Sequence, residues 1–216
     1  MHVPVSSLLL IRHGESTWNA QGRCQGLADP PLSDIGIQSA VNLVPSLLRF
    51  GFSSVVTSDL KRARQTADVL AAGLELKPPR LVTSLRERDM GTFTGSTNAE
   101  IDAKYPEWIE QTRAGLLPDP PGGETRDALL QRALTGLSTV AHDDGIGPTL
   151  VVTHGGLLNR VAAHLEMEDL RFWNLSGYWV AVAHDGSLRS TGTFPVSIQL
   201  RQGACGPGTV QSEMAD

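Results

Sequence analysis

Short apolar runs that stop dead at polar, chemically versatile residues constrain this chain more than any other feature. Residues 7–11 (SLLLI) run into Arg12, His13 and Gly14, and residues 149–153 (TLVVT) run into His154, Gly155 and Gly156. Residues 53–57 (SSVVT) form a third run and residues 80–85 (RLVTSL) a weaker fourth. A run of four or five apolar residues without alternation is how a strand reads when both faces of its sheet are covered. Between these runs lie segments of helical period at 33–50, 59–74, 99–114, 125–141 and 156–165. Strands alternating with helices predict an α/β three-layer sandwich, with a mostly parallel central sheet and helices on both faces. Pro45 falls inside the first helical segment, where its missing N–H predicts one bent helix.

Residues 178–194 show two alternating runs about a His184-Asp185-Gly186-Ser187 turn, which predicts an antiparallel hairpin at the sheet edge. Residues 97–123 stand apart, because a helix with Tyr105, Trp108 and Ile109 ends in the stiff stretch LPDPPGG. That excursion reads as a small helical lid or as a plain surface helix with two loops. The tail, 202–216, is rich in Gly, Ser, Gln and Thr and is expected to be disordered, leaving one domain over 1–201.

Eighteen Lys plus Arg against 23 Asp plus Glu give a net charge of −5, which argues against nucleic acid as the main partner and requires any anion site to be built locally. Cys24 and Cys205 lie far apart and outside any C-x-x-C pattern, so neither a disulfide framework nor a zinc knuckle is indicated. The opening MHVPVSS lacks a basic start and a long apolar core, and no stretch approaches the length of a membrane span. The expectation is a cytoplasmic protein with no membrane partner. The hairpin edge offers a surface through which two copies could pair as a homodimer.

In open α/β sheets, ligands bind beyond the carboxyl ends of the strands, where loops converge and helix N-termini point their partial positive charge. Three strand ends are informative here: Arg12-His13-Gly14, then Ser58-Asp59-Leu60-Lys61-Arg62, then His154-Gly155-Gly156. If the first and last of these strands are neighbours, His13 and His154 face each other, with Arg12 and Arg62 beside them. Two imidazoles and two guanidiniums in one cleft make an anion receptor suited to phosphate, since Arg forks match its oxygens two at a time. The glycines after each histidine are read as letting backbone approach the bound oxygens. Each piece alone is a weak signal, and their joint placement at separate strand ends carries the argument.

The stretches LIRHGESTWNAQGRCQGLADPPLSDIG, TSDLKRARQTA, LRERDMGTFTG and VTHGG, in this order over about residues 8–160, resemble the histidine phosphatase superfamily, which also contains cofactor-dependent phosphoglycerate mutase. The resemblance implies that His13 is a nucleophile that takes up a phosphoryl group. It implies that Arg12, Arg62 and His154 hold that group, and that Asn19 and Gln25 add polar contacts, with Gly155 beside them. Glu87 falls on the family's proton donor. A histidine nucleophile needs an unprotonated nitrogen, with its other nitrogen held by an acceptor, expected here in the loop around Gly14. Phosphoryl transfer depends on positioning and charge stabilisation, so neither metal nor cofactor is expected.

Glu15 is read as holding the loop or a helix start, and Cys24 as incidental. The chain departs from the mutase pattern at Met90 and Gly156, and the excursion after Gly95 lacks the mutases' paired arginines. The expected activity is hydrolysis of a small phosphomonoester through a phosphohistidine. The alternatives are a phosphoglycerate mutase or a phosphate-binding module without turnover. Arg113 and Lys104 are candidates for a second anionic group of the substrate, and Trp108, Ile109, Leu116 and Leu117 for an apolar wall.

Overall fold

The computed structural model describes residues 6–116, 118–143, 147–167, 172–183 and 185–194. Six strands form one sheet: β1 (Ser6–Arg12), β2 (Ser54–Thr57), β3 (Arg80–Leu81), β4 (Thr149–Thr153), β5 (Gly177–Val182) and β6 (Leu188–Phe194), in the spatial order β3-β2-β4-β1-β5-β6. The four strands β3, β2, β4 and β1 pair in parallel, and β5 and β6 complete the sheet antiparallel. The parallel sheet and the antiparallel edge hairpin are those expected from the apolar runs.

The unbroken apolar run of β1 has a direct cause in this arrangement. Leu8 and Leu10 enter the core on one face, with Leu129, Leu137, Leu157 and Val161. Leu9 and Ile11 enter the core on the other, with Leu43, Leu47, Ala67 and Leu70. Helices α2 (Asp34–Leu48) and α3 (Lys61–Gly73) cover that second face, and α6 (Arg126–Asp143) and α7 (Gly155–His164) cover the first. Successive strand residues point to opposite faces, so only a strand covered on both sides can be apolar at every position. Helix α2 passes through Pro45 as one element, capped at its start by Ser33, whose hydroxyl accepts the Gly36 N–H.

Two sequence expectations need correction. The run 80–85 makes only the two-residue β3 and then a 3₁₀ turn over Thr83–Leu85. Its pairing partner β2 ends at Thr57, and the turn swings Leu85 fully into the core, where its carbonyl accepts the Thr153 hydroxyl at 2.9 Å. The segment 99–114 is two helices, α4 (Asn98–Lys104) and α5 (Pro106–Arg113). Pro106 has no N–H to continue α4 and disfavours helical backbone at Tyr105, so a new helix starts with proline in its first position.

A third, smaller core lies beneath α4 and α5, built on Phe93, Ile101, Ile109 and the buried Cys24. Phe93 meets the Tyr105 ring at 5.0 Å and the Trp108 ring at 4.8 Å, and the Trp108 indole donates to the Pro118 carbonyl. Trp108 and Ile109 therefore hold the excursion down onto Phe93. Leu116 is exposed, as is Arg113, and Lys104 lies over the Tyr105 ring. Leu117 and the tail 202–216 lie outside the described residues.

Truncating either face of β1 should be costly. Leu9→Ala and Leu10→Ala, in different core clusters, are each expected to lower unfolding free energy by about 2–5 kcal/mol, read from urea denaturation.

Candidate active site

The parallel register of β1 and β4 sets Arg12 opposite Thr153, and the His13 N–H donates to the Thr153 carbonyl at 2.9 Å. The chain thus delivers His13 and His154 side by side at the carboxyl edge of the sheet. Their rings lie 5.2 Å apart between centroids and both are buried. The pairing inferred from two separate strand ends is the one the fold makes.

His13 is oriented from both sides. Its Nδ1 lies 2.6 Å from the Gly14 carbonyl, the acceptor expected in that loop, and its Nε2 lies 3.2 Å from the Arg62 Nε. The carbonyl can only accept and the guanidinium can only donate, so Nδ1 carries the proton and Nε2 presents its lone pair. Arg62, in the first turn of α3, is fully buried and donates its remaining nitrogens to the carbonyls of Ala28 and Gly26 at 2.7 and 3.0 Å. Arg12 donates to the Phe172 carbonyl at 3.1 Å. His154 Nε2 is 2.7 Å from the Ser58 hydroxyl, and among the described residues its buried Nδ1 has no hydrogen-bond partner.

Asn19, in the one-turn helix α1 (Thr17–Ala20) that Ser16 caps, and Gln25, in the loop after it, are tied together through Ser16. The Ser16 hydroxyl donates to the Gln25 Oε1 at 2.8 Å, and the Asn19 Oδ1 is 3.2 Å from the Ser16 N–H. Glu87 reaches the cleft from the strip after the 3₁₀ turn. Its Oε1 accepts the Arg88 N–H at 2.8 Å and its Oε2 accepts the Gly156 N–H at 3.0 Å. Glu15 holds the loop as expected, its carboxylate and carbonyl taking bonds from Ser33 at the start of α2.

Arg12, His13, Asn19, Gln25, Arg62, Glu87, His154 and Gly155 are therefore brought together at one edge of the sheet, whereas Arg113 is exposed and Lys104 lies over the Tyr105 ring. The glycines also make room for the protein's own groups. A Cβ on Gly14 would lie 2.9 Å from the Gly36 carbonyl oxygen, one on Gly155 would lie 3.3 Å from the Arg12 Nε, and one on Gly156 would lie 2.4 Å from the Glu87 Oε1. The space they leave is filled by the protein itself.

Residues 8–190 match the Histidine phosphatase superfamily (branch 1). The chain belongs to the histidine phosphatase superfamily. It is 33% identical to the glucosyl-3-phosphoglycerate phosphatase of Mycolicibacterium vanbaalenii, over 87% of this chain and 88% of that one. It is 35% identical to a metal-independent phosphoserine phosphatase of Arabidopsis thaliana, over 73% of this chain and 67% of the relative. Among solved structures, a mycobacterial glucosyl-3-phosphoglycerate phosphatase in complex with VO3 superimposes with a TM-score of 0.74 at 29% identity, covering 87% of this chain and 98% of that one.

In this histidine phosphatase superfamily member several supporting residues escaped the sequence reading. Thr66, one turn beyond Arg62 on α3, accepts the Gly14 N–H at 3.0 Å and donates to the Arg62 carbonyl at 2.7 Å. Its i,i+4 spacing from Arg62 was the available signal. Asn174 donates to the His13 carbonyl at 2.8 Å from the turn before β5, and Ser58 bonds His154. Asn174 belongs to no spacing pattern, and Ser58 stands at the second strand end without any sign of its bond, because each meets a partner distant in sequence. Among the described residues, no group of three His, Cys, Asp or Glu is placed to hold a metal ion.

Burial pushes both imidazoles well below the ordinary histidine value, and the guanidiniums of Arg62 and Arg12 push them the same way. Burial likewise pushes Arg62 down to about 10, opposed by the carboxylates of Glu87 and Asp29. The edge is thus a fixed cationic pocket holding two neutral imidazoles. An unfolded histidine takes a proton near pH 6.5, so below that pH the unfolded chain binds more protons than the fold and stability falls with falling pH. The loss is expected to reach up to about 1.4 kcal/mol per pH unit for each histidine. Urea unfolding at pH 7.0 and 5.5 should show it, and His154→Gln should remove about half of the acid-side slope.

Proposed function

We propose that the chain hydrolyses phosphomonoesters of small molecules through a phosphohistidine on His13, with Arg12, Arg62 and His154 holding the phosphoryl group and Glu87 moving the proton. The observation that carries this reading is the state of His13: its Nδ1 proton is committed to the Gly14 carbonyl, and burial among cations keeps its Nε2 unprotonated. A nucleophile in that state needs no separate base.

In the first step the His13 Nε2 attacks phosphorus, the bond to the ester oxygen breaks, and Glu87 gives its proton to the departing oxygen. In the second, Glu87 takes a proton from water as that water attacks phosphorus, and phosphate leaves as His13 regains its lone pair. Arg12 and Arg62 balance the charge on the equatorial oxygens, and the unpartnered His154 Nδ1 supplies a further donor when it carries the ring proton. Asn19 and Gln25 commit their carbonyl oxygens within the loop, which leaves their amide nitrogens for the phosphoryl oxygens. The backbone at Gly155, beginning α7, adds the helix's positive end.

The names of the similar proteins support hydrolysis of small phosphorylated molecules. The departures from the mutase pattern at Met90 and Gly156 support hydrolysis over phosphoryl transfer between substrate positions. We read residues 1–201 as one domain, because its sheet and both large cores draw on strands from the two ends of the described chain. We read 97–123 as a cover for the cleft, since Thr92 and Glu124 bond across to Pro121 and Asp89 beside the Glu87 strip. The sheet ends on β6, an edge that suits pairing with a second copy, which light scattering will test. A cytoplasmic location fits a chain with only two cysteines, Cys24 and Cys205, placed far apart in the sequence.

The test compares p-nitrophenyl phosphate with 3-phosphoglycerate plus bisphosphoglycerate. Hydrolysis without mutase turnover is expected, and mutase turnover of comparable rate overturns the assignment. His13→Ala should abolish turnover and the acid-labile ³²P label on the protein. Glu87→Gln should lower kcat by about 10²–10⁴, most severely for poor leaving groups, and equal slowing across leaving groups would remove Glu87 from this role.

A further inference from the structure

Two consecutive glycines open α7, and their backbones do not explain them. Neither Gly155 nor Gly156 has a positive φ, and both are helical residues. Glycine is a poor helix former, so a pair of them in the first turn weakens α7 relative to alanine. What they provide is room. The Gly155 position faces the Arg12 guanidinium, and the Gly156 position faces the Glu87 carboxylate.

We propose that Gly156 is a positioning residue for the reaction, and that the absence of its side chain seats the Glu87 carboxylate over the reacting phosphoryl group. This rests on the reading of Glu87 as the proton carrier. The geometry at the site is specific. One oxygen of Glu87 is held by its neighbour's backbone N–H, at Arg88, and the other by the Gly156 N–H. A carboxylate bridged between two backbone donors has little freedom left, because main chain, unlike a side chain, cannot rotate to follow it.

The same residue thus supplies the donor and the vacancy. Any Cβ at position 156 would lie 2.4 Å from Glu87 Oε1 and 3.2 Å from its Cδ, far inside contact distance. Of the two partners, the flexible carboxylate is the one that must give way, since position 156 is locked in the helix. Its displacement would break the bridge and move the proton away from the ester oxygen. Glu87 is also the foremost carboxylate supporting the charge of buried Arg62, so it lies within electrostatic reach of the guanidinium beside His13.

A structural role for Gly156 and this positioning role separate experimentally. Gly156→Ala is expected to have a melting temperature equal to or above that of the parent protein. Its kcat should fall at least tenfold with KM within about twofold, and the deficit should grow with leaving-group pKa across a series of aryl and alkyl phosphates, as in Glu87→Gln.

The double variant Gly156→Ala with Glu87→Asp gives a second readout if the single variant folds poorly. Retracting the carboxylate by one methylene makes room for the new methyl group, so the Asp substitution should cost less in the Ala background than in the parent. Parent-like kcat across the series in Gly156→Ala, or multiplicative losses in the double variant, would overturn the proposal. If Glu87→Gln itself keeps parent-like kcat, the reading of Glu87 fails. If Glu87→Gln is slow while Gly156→Ala is not, only the role of Gly156 fails.

Discussion

A guanidinium sealed inside the protein is the constraint from which the rest of the site follows. Arg62 has no exposed surface, and removing such a cation from water costs several kcal/mol unless each donor finds an acceptor. Here the acceptors are the carbonyls of Gly26 and Ala28 and the Nε2 of His13. The loop from Gly14 to Ala28 must therefore fold back over α3 to supply them. Neutral acceptors satisfy the hydrogen bonds, and the carboxylates of Glu87 and Asp29 offset the charge only in part, which leaves the site poised for an anion. The acidic balance of the whole chain makes the contrast with this buried cation sharper.

That field sets the protonation of the histidines. A solvent-exposed imidazole beside a carboxylate would charge near neutral pH, whereas His13 and His154 are buried among arginines and stay neutral. The two rings share an environment but are fixed by different partners, a carbonyl for His13 and a hydroxyl for His154. A carbonyl dictates one tautomer, while a hydroxyl can donate or accept. His13 is thus held in a single reactive form, and His154 retains the ability to adapt its proton to what occupies the pocket.

Much of this was legible in the sequence, and what was not has physical reasons. Arg12, His13 and His154 could be read because each adjoins a fully apolar strand, and a parallel strand ends where ligands bind. Glu87, Asn19 and Gln25 were carried by resemblance, since no periodicity places them. Asn174 was missed, and Ser58 was legible only as a strand end without its bond to His154, because a side chain that bonds a carbonyl or a ring far away in sequence leaves no local pattern. The run 80–85 misled because apolar content alone does not separate a strand from a 3₁₀ turn that buries one leucine. Trp108 and Ile109 carry a task the sequence does not display, since nothing in their own segment shows that their helices anchor on Phe93.

Thr66 and Arg62 stand one turn apart on the same helix, the first gripping the backbone beside the nucleophile and the second its ring. The nucleophile and the backbone beside it are consequently tied to α3 at two points whose spacing is one helical turn. Thermal motion can carry loop and helix together, but it has little purchase on the gap between them, so the loop keeps its aim even while it moves.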